Sequence, residues 1–285
     1  NFDLEIPPTQ LYRRKATQKS DALRHQYIST IREILEKSQF QGKVAIDCAN
    51  GATSEIAKEI FQPIGGLEFE LFANEPNGTN INENCGITNP QFLEHILREG
   101  EYQLGISFDG DGDRVGFIDE KGYQISGDFV LAYLAIKLKE EGRLNDNSVV
   151  FTQYSNLALD DYLKKKGIEV HRVENGDKAV MEQLRKNDWS FGGEHSGHII
   201  LDPQLGSGDG IRAASEVLKR LEALIPISQQ LNNLYKPNPQ VQESIPLQER
   251  INSIQELPQE TQKIIKHAKK EVEEAGGRIL IRPSG

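Results

Sequence analysis

Two stretches of this chain share one layout, and the repetition restricts the fold more than any single motif does. In residues 43–72 an apolar run, Lys43-Val44-Ala45-Ile46-Asp47, meets a turn at Asn50-Gly51-Ala52-Thr53. A helical stretch over 55–62 follows, with Ile56, Ala57, Ile60 and Phe61 inward, and then a second apolar run over 67–72. Residues 148–173 repeat the order: an apolar run over 149–152, a turn at Ser155-Asn156, a helical stretch over 157–166, Gly167, and a run over 169–173. Strand, helix and strand in series make a βαβ unit, whose crossover helix holds the two strands parallel and covers one face of the sheet. The two stretches share layout more than identity, which points to duplicated α/β domains.

Spacing elsewhere fills in the same fold class. Behind a cap at Ser20 or Asp21, the residues Leu23, Tyr27, Ile28, Ile31, Ile34 and Leu35 recur at helical intervals. A helix over 89–98, strands over 103–108 and 114–119, a short extended piece and an apolar helix over 128–139 closed by Gly142 complete the first half. Helices over 177–186 and from Asp209 through Leu221, an extended 199–201, a proline-bearing linker over 236–242, a charged helix over 258–274 and a strand over 278–281 follow. The expected fold class is α/β: two consecutive domains with mixed sheets flanked by helices, plus the start of a small α+β C-terminal domain. The expected boundaries are an arm over 1–20, domains over 21–143 and 144–236, and a partial domain over 237–285.

Composition narrows the function. The 285 residues carry 33 Lys+Arg against 43 Asp+Glu, a net charge of −10, which argues against nucleic acid or an anionic membrane as the main partner, since both need concentrated positive charge. No run approaches the roughly 18 to 20 apolar residues of a membrane span, and Asn1-Phe2-Asp3-Leu4 has neither a basic start nor an apolar signal core. The expectation is a soluble, cytoplasmic protein. Cys48 and Cys85 read as reduced cysteines with no bridge between them. The chain lacks an initiator Met and stops at Arg282-Pro283-Ser284-Gly285, so a part of a larger polypeptide is expected.

The most informative hexapeptide is Asp109-Gly110-Asp111-Gly112-Asp113-Arg114. Three carboxylates at alternate positions repel one another in a compact loop unless a cation sits among them, and the two glycines let the backbone fold so that all three converge. Oxygen-only ligands select a hard divalent ion, Mg²⁺ above all where a phosphate supplies further oxygens. The plain alternative is a solvated acidic turn. An EF-hand calcium loop fails on context: Arg114 stands where that loop needs Gly, and the flanks 105–108 and 115–118 read as strands rather than helices.

A second polar constellation, Gly192-Gly193-Glu194-His195-Ser196-Gly197-His198, suits bidentate hydrogen bonding to vicinal sugar hydroxyls, with an imidazole nearby to hold a phosphate or move a proton. Its alternative is an ordinary polar turn. A zinc site does not fit, because the loop lacks helical His spacing and an adjacent cysteine. Arg282, Ser284 and the Gly285 amide suit a phosphate nest, and Asn175-Gly176-Asp177-Lys178 suits a helix start that could meet an anion, although in isolation an ordinary turn and a simple cap are the better readings of the two. Gly208-Asp209-Gly210 reads as an N-cap, and the 80–86 loop yields no chemistry from its spacing.

In this order, Asp109-Gly110-Asp111-Gly112-Asp113-Arg114, Gly193-Glu194-His195-Ser196-Gly197-His198 and Arg282-Pro283-Ser284-Gly285 resemble the metal, sugar-recognition and phosphate loops of the α-D-phosphohexomutase family. The likeness within the family is to its glucosamine-phosphate branch, on 44–52, Asn74-Glu75-Pro76-Asn77-Gly78, Ile81-Asn82-Glu83-Asn84-Cys85-Gly86, Gly176-Asp177-Lys178 and Gly208-Asp209-Gly210. His195 departs from it, standing where that branch commonly has Gln. The resemblance implies four domains, of which this chain would hold the second, the third and the start of the fourth. The first, with its phosphoserine loop, is unrepresented, for no Ser-His-Asn-Pro-like segment occurs here.

The implied reaction interconverts glucosamine 6-phosphate and glucosamine 1-phosphate through that phosphoserine and a 1,6-bisphosphate. By resemblance, Asp109, Asp111 and Asp113 would hold Mg²⁺ and Arg114 would stabilise the transferring group. Glu194 and Ser196 would bind sugar hydroxyls, and Arg282, Ser284 and Gly285 would grip the idle phosphate with Lys178 and His198 as helpers. The chain alone is expected to be inactive. Two alternatives stand beside this: a phosphomannomutase or phosphoglucomutase acting on another hexose phosphate, and a noncatalytic module that binds metal and sugar phosphate.

Overall fold

The computed structural model describes residues 18–282 apart from 233, 247–250 and 252. Ser284, Gly285 and the expected arm up to residue 17 lie outside the described residues. By contacts the chain falls into two compact units: one takes residues up to Ile125 together with Asp209–Asn232, the other Ser126–Gly208 together with Asn233–Gly285.

The first unit begins with α1 (Gln18–Leu35), whose Ile28, Ile31 and Leu35 are buried. Then come β1 (Gly42–Asp47), α2 (Thr53–Ile60), β2 (Leu67–Phe72), α3 (Pro90–Glu99), β3 (Leu104–Phe108), β4 (Val115–Ile118) and β5 (Gln124–Ile125). They form one sheet in the order β2-β1-β3-β4-β5. β1 runs parallel to both β2 and β3, with Val44 opposite Phe69 and Leu104; β4 turns back antiparallel, with Val115 opposite Phe108. Every residue of β3 is buried, as a strand covered on both faces requires. Leu93 and Leu97 of α3 pack on Ala45 and Ile118 on one side of that sheet.

The second unit holds α4 (Gly127–Glu140), β6 (Ser148–Thr152), α5 (Leu157–Lys165), β7 (Glu169–Val173), α6 (Asp177–Asn187), β8 (Gly192–Gly193) and β9 (Ile199–Ile200). Its sheet order is β7-β6-β8-β9, again with the first strand parallel to two neighbours and the last antiparallel. Val180, Met181 and Leu184 of α6 pack on Val150 and Ile200. The duplication read from layout is therefore a duplication of strand order and direction.

Two helices depart from the expected boundaries. The apolar helix α4, expected in the first domain, groups with the second unit: Asn156 N donates to the buried Asp128 carboxylate at 2.8 Å, and Lys139 Nζ donates to the carbonyls of Lys166 and Gly167 at 2.8 and 2.6 Å. α7 (Gly210–Arg220), expected in the second domain, returns to the first unit and packs on α1, β3 and β4. Ser38 Oγ donates to Leu218 O at 2.7 Å, and the short α8 (Ile227–Gln230) is tied by Ser228 N to Glu120 Oε2 at 2.9 Å.

The charged helix α9 (Gln259–Glu274) forms as expected. The strand expected over 278–281 does not: those residues are irregular, with Leu280 and Ile281 partly exposed, because a strand needs a ladder partner and no described strand pairs with them. Instead Arg278 Nη2 donates to Ser155 O at 2.9 Å, and residues 233–285 group with the second unit. Among the described residues no helix is long and apolar enough to cross a membrane. Both cysteines are free and buried.

Candidate functional site

The acidic loop closes the β3–β4 hairpin. It begins at a strand end where Phe108 is paired and buried, so Asp109 is drawn inward to 2% exposure while Asp111 stays exposed and Asp113 half-buried. One carboxylate oxygen from each of Asp109, Asp111 and Asp113 lies within 4.8 Å of the others. That all-oxygen set fits a hard divalent cation with coordination positions left for water or phosphate oxygens. Arg114 already neutralises part of it: its backbone N donates to Asp109 Oδ1 at 3.1 Å and its Nε to Asp109 Oδ2 at 2.6 Å, with Asp113 Oδ1 3.6 Å away. Burial raises the Asp109 carboxyl, but the amide and guanidinium of Arg114 outweigh it and hold the group below the usual carboxylate value.

Backbone holds the loop from several sides. Ala52 N donates to Gly110 O at 2.8 Å, and a Cβ on Gly51 would stand 2.3 Å from that same oxygen. Gly210 N, at the start of α7, donates to Gly112 O at 3.0 Å, and a Cβ on Gly210 would meet Arg114 O at 2.6 Å. Gly112 has φ +78 and faces Thr53, so a side chain there meets both a strained backbone and a neighbour. The Asp209 carboxylate caps α7 by accepting from Arg212 N at 2.9 Å and also accepts from the Tyr27 hydroxyl at 2.9 Å. The buried Asp47 pins the turn beneath: it accepts from Ala49 N at 2.9 Å and Gly86 N at 2.6 Å, joining the β1 turn to the 80–86 loop. Burial pushes Asp47 up to about 6, against the pull of those two amides.

The polar loop of the second unit closes the β8–β9 hairpin, the same topological place as the acidic loop in the first. Glu194 N donates to His198 O at 2.9 Å across the turn, and Glu194 Oε1 accepts from Gly176 N at 3.0 Å at the start of α6. Glu194 and Ser196 are half-buried, His195 is exposed and His198 is buried. Lys178 is exposed on α6 and lies 3.9 Å from Glu182. Arg282 comes to this unit's surface beside Tyr154, so the structure brings Glu194, Gly176 and the 195–198 turn into one neighbourhood, with Tyr154 joining it to Arg282.

Sequence reasoning missed the part played by five residues. Gly51 and Thr53 frame the acidic loop, Asp209-Gly210 docks on it, and Tyr154 stands beside the 194–198 loop. A signal was available for the turns, since Asn50-Gly51 and Gln153-Tyr154 leave the carboxyl ends of β1 and β6, where open α/β sheets bind ligands. For Asp209 there was none, because Tyr27 lies 182 residues away.

Known proteins resemble this chain over most of its length. The family model "Phosphoglucomutase/phosphomannomutase, alpha/beta/alpha domain II" matches residues 25–122, and that of domain III matches 126–238. A phosphoglucosamine mutase of Caldicellulosiruptor saccharolyticus is 38% identical over 266 residues, 92% of this chain and 58% of that protein. One of Campylobacter hominis is 40% identical over 243 residues, 85% of this chain and 53% of that protein. The chain thus spans a little over half the length of these relatives. A crystal structure of a phosphoglucomutase/phosphomannomutase family protein from Burkholderia thailandensis superposes with a TM-score of 0.65 at 25% identity, covering 75% of this chain and 47% of that one.

Proposed function

Because the chain belongs to the phosphoglucomutase/phosphomannomutase family of α-D-phosphohexomutases and carries its domains II and III, we propose that it supplies the metal and sugar loops of a phosphosugar mutase interconverting glucosamine 6-phosphate and glucosamine 1-phosphate. The observation that carries this reading is the convergence of the Asp109, Asp111 and Asp113 carboxylates to within 4.8 Å at the mouth of a buried hairpin. The relatives named phosphoglucosamine mutase favour the amino sugar over mannose or glucose phosphates, and favour an enzyme over a noncatalytic binding module.

Asp109, Asp111 and Asp113 would hold Mg²⁺, which when bound offsets negative charge on a phosphoryl group under transfer. Arg114 commits its Nε to Asp109, so the role left to it is stabilisation of the transferring group through the rest of its guanidinium. Glu194 has one carboxylate oxygen on the Gly176 amide and the other for a sugar hydroxyl, with Ser196 as its partner on the same turn. Holding the sugar by its 3- and 4-hydroxyls lets one site take it in either orientation, which a mutase needs. Arg282 would hold the idle phosphate, and Lys178 and His198 would assist; Ser284 and Gly285 complete that nest in the resemblance. The phosphoryl donor is a serine outside this chain's residues, and the protein is proposed to work in the cytoplasm.

The test is calorimetric titration of the chain with Mg²⁺ and with glucosamine 6-phosphate, beside glucose 6-phosphate and mannose 6-phosphate. The reading expects weak Mg²⁺ binding that Asp111→Asn weakens further, and preference for the amino sugar. Unchanged Mg²⁺ binding in Asp111→Asn removes the loop assignment. Preference for a neutral hexose phosphate moves the substrate to another branch of the family.

A further inference from the structure

Tyr154 leaves the carboxyl end of β6, the second unit's counterpart of the turn that braces the acidic loop in the first. Its hydroxyl accepts a hydrogen bond from Arg282 Nε at 2.6 Å, and the Arg282 guanidinium carbon lies 5.0 Å from the centre of its ring. The same ring lies against the His195 imidazole, with centroids 5.7 Å apart. One side chain therefore touches both the sugar-type loop and an arginine 128 residues further along the chain. His195 is itself fixed from behind, since its carbonyl oxygen packs so close to Gly127 that a Cβ there would stand 2.0 Å away.

The contact leaves the arginine's business edge open. Nε is engaged, and among the described residues neither Nη group has a hydrogen-bond or ion-pair partner. A guanidinium held by Nε and by a ring stacked beneath it keeps a defined orientation while presenting two Nη donors to an anion, and pre-orienting a long side chain removes part of the ordering cost of binding.

We infer that Tyr154 is a positioning residue that sets the Arg282 guanidinium beside the Glu194–His198 loop, so that a sugar phosphate held by that loop meets its phosphate-binding arginine already oriented. The inference rests on the mutase reading and adds to it a residue that never touches the reacting group.

The experiment is a double-mutant cycle on the whole chain, using Tyr154→Phe, Arg282→Ala and their combination, titrated with glucosamine 6-phosphate and separately with glucosamine. Tyr154→Phe keeps the ring and removes only the acceptor oxygen. The expected result is a loss of about five-fold for glucosamine 6-phosphate in Tyr154→Phe, the scale of one ordinary intramolecular hydrogen bond. Glucosamine binding stays unchanged, and Tyr154→Phe has no further effect once Arg282 is alanine. Losses that add independently, or no loss in Tyr154→Phe while Arg282→Ala does weaken binding, overturn the inference and leave the mutase reading standing. Undiminished glucosamine 6-phosphate binding in Arg282→Ala, or none by the unaltered chain, removes both. A second readout needs no ligand: the Arg282 Nε–H resonance exchanges slowly in the unaltered chain and rapidly in Tyr154→Phe, and rapid exchange in both also overturns it.

Discussion

Arg114 grips Asp109 twice, with its backbone N on one carboxylate oxygen at 3.1 Å and its Nε on the other at 2.6 Å. The residue that ends the acidic loop thus satisfies the residue that begins it. Arg114→Ala strips the charged partner from a carboxylate of 2% exposure, and the expected cost is about 2 kcal/mol of stability, the scale of a hydrogen bond to a charged group. Mg²⁺ should restore more stability to the variant than it adds to the unaltered chain, because the cation replaces the missing positive charge. Thermal unfolding with and without Mg²⁺ measures both; an equal Mg²⁺ increment in the two proteins refutes the compensation.

Gly51 carries no chemistry, yet its α-carbon backs directly onto the loop. Gly51→Ala puts a methyl 2.3 Å from Gly110 O, a backbone atom that can yield only by moving the loop. Mg²⁺ affinity is expected to drop about ten-fold, a change of about 1.4 kcal/mol, with all three aspartates untouched. Titration at constant ionic strength decides, and affinity equal to that of the unaltered chain shows the loop to be tolerant of its neighbour.

Asp47 gives stability a pH dependence of unusual sign for a carboxylate. Burial raises it from 3.8 to about 6, so the folded state binds its proton more tightly than the unfolded state does. Its contribution is therefore greatest below about pH 4, diminishes as pH rises to about 6 and is level above that, an amount on the order of 3 kcal/mol. Asp47→Asn abolishes this slope while losing one of two backbone acceptors. Unfolding midpoints of the two proteins compared from pH 4 to 7 test it, and parallel curves exclude the assignment.

Arg172 clamps the turn that carries Tyr154. It pairs with Asp160 through both Nε and Nη2, and it donates to Thr152 O at 2.5 Å and Asn156 O at 3.1 Å. Lysine keeps the charge but lacks the planar fork, so Arg172→Lys is expected to destabilise by about 2 kcal/mol and to loosen Tyr154. Chemical denaturation gives the first number; unaltered stability would mean that the fork is dispensable.

The elements were readable because their signals are local. Ile28, Ile31 and Leu35 mark a helix face at intervals of three and four, and the 104–108 run, carried by Leu104, Ile106 and Phe108, marks a strand. The aspartate loop was readable for the same reason: its crowding of like charge is written in six consecutive residues, and its strand flanks excluded the calcium alternative without reference to anything distant. The 278–281 run carries an equally strong apolar signal and forms no strand, since propensity supplies a chain segment but no edge to pair with.

Periodicity tells which face of an element is buried, never what buries it. Nothing in residues 209–221 announces that α7 leaves its sequence neighbours and docks on α1, nor that Gly210 N will support Gly112 of the acidic loop. The Tyr27–Asp209 and Tyr154–Arg282 contacts join residues 182 and 128 positions apart, and their geometry exists only after the helices and turns around them have packed. Local order along the chain wrote the parts and the carboxylate trio; the choice of packing partners, made by shape and burial across long separations, assembled what surrounds them.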